Sequence, residues 1–422
     1  MNLKLSSLFI ILWGIVNVHN IYSSGCIDNH KISYMGSSVA NGTGAENDKG
    51  WAYLYSNLLK ERYETGLSPI NWKTSNISVG GNSTNDLLKR WQKDLPGECS
   101  RYVLYGLSLG NEGIHDKGEP AYDSYCSGMQ KAISLAREAG IIPIVTNNYT
   151  RADFNTSDYY FVKKMNLLIH EWDVPSVNTL GAIDDGAGHW AAGYENDAAH
   201  PNTAGHQEFF YAIVPSLFDA LDAKKPLPVR IKGTYYRLDK NTQIEFTPEN
   251  KVHPFTISFD IKTKSAGVIA SFKDENGTGY LKIDTAGNII YESPQKQIIK
   301  TDIPFDITQW NRITLTHYYA RGVTILYINN YKAGELQEKL LAEKFVLGGN
   351  EAPKKSDYRE LFFWRSGMNA EEIECVNNDK MMKSSLEIYA PLGVKGDNPL
   401  INLAQSTNTI KCGKVIHNHL LY

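Results

Sequence analysis

The chain reads as two domains of different class, an α/β domain whose parallel sheet is covered on both faces and an all-β sandwich. Three observations predict this. From Lys31 to about Leu221, short apolar segments alternate with longer amphipathic ones, as strands joined by helical crossovers do. The texture changes after Asp222, where Lys224-Lys225-Pro226-Leu227-Pro228 reads as a linker. Beyond it the chain is rich in alternating strand patterns punctuated by Gly, Asn and Asp turns.

In the first domain, strands are expected at Lys31–Tyr34, Asn71–Ser78, Arg101–Ser108, Ile141–Thr146 and Ser176–Asn178. The segments opening at Trp51 and at Gln130 show helical spacing of apolar positions, and Gly140 supplies a C-terminal stop. A last helix is expected from Thr203 to Leu221. In the second domain, the alternating runs Phe255–Ile261, Gly279–Asp284, Trp310–His317 and Val323–Ile328 predict a two-sheet sandwich.

With 422 residues and a net charge of −3, the chain carries no basic field for nucleic acid or an anionic membrane, and a neutral polar ligand fits better. Met1 to Gly25 reads as a secretion signal: Lys4 precedes an apolar run from Leu5 to Val18, and small residues at Ser23 and Gly25 put the cut before Cys26. The mature protein is therefore expected outside the cytoplasm, in the extracellular space, the periplasm or at the cell surface. Five cysteines cannot all pair; Cys99 with Cys126 and Cys375 with Cys412 would leave Cys26 over. Cys26 is then either a free or differently paired thiol or the acceptor of a lipid, the one membrane attachment expected here. The domains are accordingly read as 1–25 signal, 26–223 α/β, 224–231 linker and 232–422 sandwich.

Two short segments carry the chemistry. Gly36-Ser37-Ser38 follows the first strand, and Asp197-Ala198-Ala199-His200-Pro201 precedes the last helix. A serine hydroxyl becomes a nucleophile when an imidazole takes its proton and a carboxylate holds that imidazole in the right tautomer. Ser38, His200 and Asp197 supply the three parts. Gly80-Gly81-Asn82 and Gly110-Asn111-Glu112 offer donors for an oxyanion. All four segments fall at the carboxyl ends of strands, where open parallel sheets gather their ligands. Taken singly each match is weak: Gly-Ser-Ser is often only a loop, and Asp-x-x-His is often a helix cap with an incidental histidine.

Together these blocks resemble the SGNH, or GDSL-type, hydrolases over roughly Lys31 to Leu221. The resemblance implies a flavodoxin-like three-layer αβα fold and a serine esterase without a cofactor. It makes Ser38 the nucleophile, His200 the base and Asp197 its orienting acid, with Ser38 N–H, Gly81 N–H and the Asn111 amide as oxyanion donors. Ser37 stands where the family has Asp, and Glu112 alters its Gly-x-Asn-Asp spacing.

A rival, Gly106-Leu107-Ser108-Leu109-Gly110, satisfies Gly-x-Ser-x-Gly after a strand. The Asn111, Gly113, Asp116, Gly118 and Pro120 that follow predict a loop delaying the next helix by more than ten residues, so Ser108 is read as strand-end structure. No metal site is expected, since neither His200 with His206 nor His170-Glu171 has a second ligand at helical spacing. Trp190 and Tyr194, just before Asp197, are placed to line the substrate pocket or to pack under the loop.

In the second domain, Trp310–His317, Ile325–Asn330, Phe345–Gly349 and Tyr358–Trp364 with Asn369-Ala-Glu-Glu-Ile resemble the laminin-G or concanavalin-A-like jelly roll over about Lys232 to Leu392. The expectation is an exported esterase acting on acyl groups, O-acetyl above all, of a carbohydrate or polysaccharide. The alternatives are an arylesterase or lipase with the same triad, and a non-catalytic glycan-binding protein, which Ser37 in place of Asp would favour.

Overall fold

The computed structural model describes residues 26–302, 304–349, 351–393 and 400–414. The expected signal, residues 1–25, and the last eight residues of the expected second domain lie outside them. Five parallel strands, β1 Asp28–Gly36, β2 Lys73–Asn76, β3 Ser100–Gly106, β4 Ile142–Thr146 and β5 Ser176–Val177, form one sheet in the order β2-β1-β3-β4-β5. Alternation along the central strands divides their side chains between two cores. Tyr34, Tyr102, Leu104 and Ile144 pack with Trp51, Tyr55 and Phe209 on one face. Met35, Val103, Tyr105 and Val145 pack with Leu87, Trp91, Met129 and Val162 on the other. Each large side chain so buried stabilises the fold by about 1.5–3 kcal/mol. Two polar tips pair inside the second core: the Trp91 indole donates to the Tyr105 hydroxyl at 2.8 Å, which donates to the Ala132 carbonyl at 3.1 Å.

Three boundaries differ from expectation for local reasons. The helix expected from Thr203 to Leu221 is two, Thr203–Tyr211 and Leu217–Asp222. Pro215 lies between them, lacking the N–H a continuous helix needs and disfavouring helical geometry at Val214. The helix expected from Gln130 begins at Glu119, with Pro120 in its first turn, where a missing N–H costs nothing. The expected loop after Ser108 instead holds two short helices, Leu109–Glu112 and Ile114–Lys117, separated by Gly113 at φ 83°.

The cysteine pairing also needs correction. Cys26 is bonded to Cys99, while Cys126, Cys375 and Cys412 are free. Cys99 precedes β3, and Asp28 N–H donates to the Cys99 carbonyl at 2.7 Å, so pairing of β1 with β3 brings the two sulfurs together. A sulfur held in this bond has no thiol to carry a lipid.

The second domain is two antiparallel sheets face to face. One runs Tyr331–Gln337, Val323–Ile328, Asn311–Tyr318, Phe255–Thr263, Lys355–Trp364, Leu386–Ala390, with Tyr236–Asp239 also paired to Lys355–Trp364. The other runs Ile298–Lys300, Ile289–Glu292, Gly277–Ile283, Gly267–Asp274, Ala342–Gly348, Thr242–Phe246, Lys411–Lys414. Between them lies an aromatic core, with ring centroids of Phe345 and Phe363 4.9 Å apart and of Phe255 and Phe345 5.3 Å apart.

The two domains share a polar seam. The Asn178 amide donates to Glu372 at 2.7 Å, and His170 Nδ1 accepts the Lys383 N–H at 2.9 Å. A Cβ at Gly181 would come within 1.9 Å of the Gly367 carbonyl, so only glycine permits this approach. The expected linker is itself tied down, since the Lys225 ammonium donates to the carbonyls of Asn402 and Ser406.

Candidate active site

Ser38 opens the short helix Ser38–Asn41 immediately after β1. Gly36 lets that strand end meet β3: a Cβ there would lie 2.1 Å from the Gly106 carbonyl. Ser37 N–H donates to that carbonyl at 3.0 Å, and its side chain is fully buried without capping the helix. The serine in place of the family's aspartate is thus a small core residue beneath Ser38.

The Asp197–His200 segment is a tight turn before the helix Thr203–Tyr211. Asp197 Oδ1 accepts the N–H of Ala199 at 2.8 Å and of His200 at 2.9 Å, which fixes the carboxylate against the turn. Both its oxygens lie 2.9 Å from His200 Nδ1. Partial burial pushes the Asp197 carboxyl up, but the hydrogen bonds from the His200 ring and from the Ala199 N–H outweigh it, so its pKa lies below the ordinary value. An ionised Asp197 assigns the proton to Nδ1 and leaves the Nε2 lone pair free to accept. His200 Nε2 lies 2.9 Å from Ser38 Oγ. Residues 162 apart in sequence thus form a relay from carboxylate to imidazole to hydroxyl.

Gly81 sits at φ 76° on an exposed loop, where the absence of a Cβ makes the conformation inexpensive. A Cβ on its neighbour Gly80 would lie 3.8 Å from that of Ser38, which puts this loop beside the Ser38 side chain. Asn111, on the helix Leu109–Glu112, uses one amide N–H to reach the Asn82 carbonyl at 3.1 Å. Its second N–H is left for another acceptor.

Ser108 is buried, and its Oγ accepts the Gly110 N–H at 3.0 Å as the cap of the helix after it. The helix that was not expected therefore uses Ser108 as structure, while the histidine is on Ser38. Trp190 is only 5% exposed: it stacks on Tyr149 at 5.8 Å and donates its indole N–H to the Ala198 carbonyl at 3.2 Å. It packs under the Asp197–His200 turn and supports it, which is the second of its two readings; as a wall of the pocket it is placed wrongly, because its ring is buried. Tyr194 is half-buried, its hydroxyl 3.4 Å from Lys339 Nζ of the second domain, and burial pushes its phenol up to about 12.

Three supporting residues were missed by sequence reasoning. Glu112, the other departure from the family spacing, is buried and accepts the Thr84 N–H at the start of the helix Thr84–Asp94. Arg90 on that helix donates to Asn82 Oδ1 at 2.6 Å, the Ile77 carbonyl at 2.7 Å and the Gly36 carbonyl at 3.3 Å, binding the glycine loop to the end of β1. His206 lies behind Ser38: Nδ1 accepts the Trp51 N–H at 3.3 Å and Nε2 donates to the Thr43 carbonyl at 3.0 Å. Burial pushes its pKa down to about 4, so it works as a neutral clamp. Among the described residues no group of three or more His, Cys, Asp or Glu side chains is arranged to hold a metal ion.

Residues 34–208 match the GDSL-like Lipase/Acylhydrolase family. The match spans both the Ser38 and the Asp197–His200 segments. No curated protein matches the chain in sequence. Among solved structures, the chain is similar to a catalytic variant of an acetylxylan esterase from Geobacillus stearothermophilus, at 15% identity and TM-score 0.37, over 44% of this chain and 93% of that one. It is similar to a putative carbohydrate binding protein from Bacteroides ovatus at 17% identity and TM-score 0.34, over 44% and 61% of the two chains. Its likeness to a heptameric SAP-like pentraxin from Limulus polyphemus has 14% identity and TM-score 0.31, over 44% and 98%.

Proposed function

We propose that the protein is an exported serine esterase that removes small acyl groups, O-acetyl above all, from a carbohydrate. The observation that carries the reading is the 2.9 Å contact of His200 Nε2 with Ser38 Oγ, backed by Asp197 on the far side of the ring. As Ser38 Oγ attacks the ester carbonyl, His200 takes its proton and then returns it to the departing sugar oxygen. The Ser38 and Gly81 N–H groups and the Asn111 amide hold the oxyanion. Water, deprotonated by the same imidazole, then attacks the acyl-enzyme, releasing the acid and restoring Ser38.

Exposure of the site supports a bulky alcohol with a small acyl group. Side chains of His200 and Asp197 are 21% and 49% exposed, and nothing lies within 4 Å of a Cβ placed on Gly81. A substrate larger than a pocket can reach such a serine, and a site this open would give a long acyl chain little to bury against. The mature protein is expected to release acetate from acetylated polysaccharide, with kcat/KM on matched aryl esters falling from acetate to butyrate to octanoate. A rate rising with chain length would replace this reading by a lipase-like one, and saturable glycan binding without any hydrolysis by a binding protein.

Asn111→Ala is expected to lower kcat on the acetate ester by about 100-fold or more with little change in KM, because its amide serves the transition state rather than the ground state. Steady-state kinetics on a soluble aryl acetate check this, and a loss confined to KM would make Asn111 a substrate-binding residue instead.

A further inference from the structure

A second site lies on the β-sandwich domain, remote in sequence from the triad. Where the strands Tyr236–Asp239, Phe255–Thr263 and Lys355–Trp364 run side by side, they and the adjoining turns enclose a cleft of about 730 Å³. Five cations line it, Arg237, Lys262, Lys264, Lys354 and Lys355, against one carboxylate, Asp357. Strand pairing explains part of this, because Asp357 has Arg237 opposite it on one side and Lys262 on the other. Asp357 is consumed by Arg237, which meets it in a fork with contacts of 2.6 and 3.0 Å, and Lys262 lies 4.0 Å from the same carboxylate.

Lys264, Lys354 and Lys355 have no ion-pair partner among the described residues, and all three are exposed. The acid opposite Lys355, Asp239, has its Oδ1 engaged by the Asn241 N–H at 2.8 Å and the Thr242 hydroxyl at 3.2 Å. Like charges gathered without counter-ions repel one another, and an anion entering the cleft relieves that repulsion. The concentration of positive charge is local, since the chain as a whole has a net charge of −3.

An aromatic pair stands beside the cations. Tyr235 is 47% exposed, and its ring centroid lies 6.1 Å from that of Trp310. Lys262 sits 4.9 Å and Arg359 4.3 Å from the Trp310 ring centroid, and Arg237 5.6 Å from that of Tyr235. Cation–π contacts thus hold the cationic side chains against the rings and fix where charge is presented. The combination of an exposed ring with flexible ammonium groups suits a sugar ring bearing acid groups, the ring packing on Tyr235 and the acid groups meeting the lysines.

From this juxtaposition we infer that the β-sandwich domain binds an acidic saccharide, one carrying carboxylate or sulfate groups, in the cleft lined by Lys264, Lys354 and Lys355, with the Tyr235 ring flanking it behind Arg237. Binding is measured without ester cleavage, so failure of this inference and failure of the esterase reading are told apart. The mature full chain is titrated against three fluorescent oligosaccharides of matched length, from polygalacturonate, from dextran sulfate and from unmodified dextran, at about 50 mM salt and again at about 0.5 M, where charges are screened within a few ångströms. At least one acidic oligosaccharide is expected to bind at low salt and weaken at high salt, with the neutral one at least about tenfold weaker. A preference for polygalacturonate assigns the carboxylate form and a preference for dextran sulfate the sulfate form.

The triple variant Lys264→Ala, Lys354→Ala, Lys355→Ala should weaken binding at least about tenfold while leaving hydrolysis of a soluble aryl acetate unchanged, whereas the corresponding triple Lys→Arg variant should retain binding. No binding of either acidic oligosaccharide, or binding that the triple Ala variant leaves intact, would overturn the inference. Tighter binding of a single-stranded oligonucleotide than of both acidic saccharides would also overturn it, transferring the cleft to phosphate polyanions.

Discussion

Ser38→Ala is expected to lower kcat/KM for ester hydrolysis by at least about 10⁴-fold, the scale on which loss of a triad member acts. The expectation rests on the Ser38 hydroxyl being the one that His200 Nε2 faces, at 2.9 Å. The substitution removes a partly exposed hydroxyl and no packing volume below it, since Val39, Ala40 and Ser37 fill the core there. Circular dichroism and the denaturation midpoint should therefore stay close to those of the parent protein. Ser108→Ala serves as the contrast: its Oγ caps a four-residue helix, so activity should change only a few-fold, through small shifts at Asn111. A Ser38→Ala protein that kept a tenth or more of the parent rate would remove Ser38 from the mechanism.

The second large effect is on stability. Arg365→Ala is expected to cost about 3–5 kcal/mol, as does breaking a buried ion pair from one side. Arg365 is 1% exposed, donates from Nη1 to Glu387 at 2.7 Å, and reaches the Tyr211 carbonyl from Nε at 2.8 Å. Its Nη2 serves the Lys251 carbonyl. Truncation leaves two carbonyls and the fully buried Glu387 short of a partner at once. Lysine cannot substitute, having one charged nitrogen where three directions must be met. Because Tyr211 ends the helix that starts just after His200, the variant should lose activity at urea concentrations that the parent tolerates. A shift in the urea midpoint equivalent to less than about 1 kcal/mol would show that the seam relies on its apolar contacts instead.

Much of the fold was legible in the sequence where a local pattern determined it. Tyr102 to Tyr105 is an unbroken apolar run, which marks a strand covered on both faces, and successive side chains enter opposite cores. The Asp197-to-His200 spacing was legible for a similar reason, since the turn that joins them also aims them. What could not be read depends on neighbours far away in sequence. Cys26 meets Cys99 only because β1 lies beside β3, so no parity rule could choose that partner. Glu112 looked like a departure from a motif, and its purpose as an anchor for the Thr84 N–H emerges only when two helices meet. Trp190 had two readings of equal standing in the sequence, and the Ala198 carbonyl above its indole decides between them. Pro215 breaks the apolar pattern from Thr203 to Leu221, and its missing donor outweighs that pattern.

The Cys26–Cys99 bond has a geometric consequence for how the protein meets a surface. It pins the amino end of β1, while Ser38 stands just beyond the carboxyl end of the same nine-residue strand, a run of about 30 Å at the usual rise per residue. Cys26 therefore lies at the pole opposite Ser38. A tag or bead fastened at Cys26 would leave the Ser38 pole turned outward. Immobilisation through that end is a directional mount, in which the orientation of the serine is decided by the covalent staple rather than by chance.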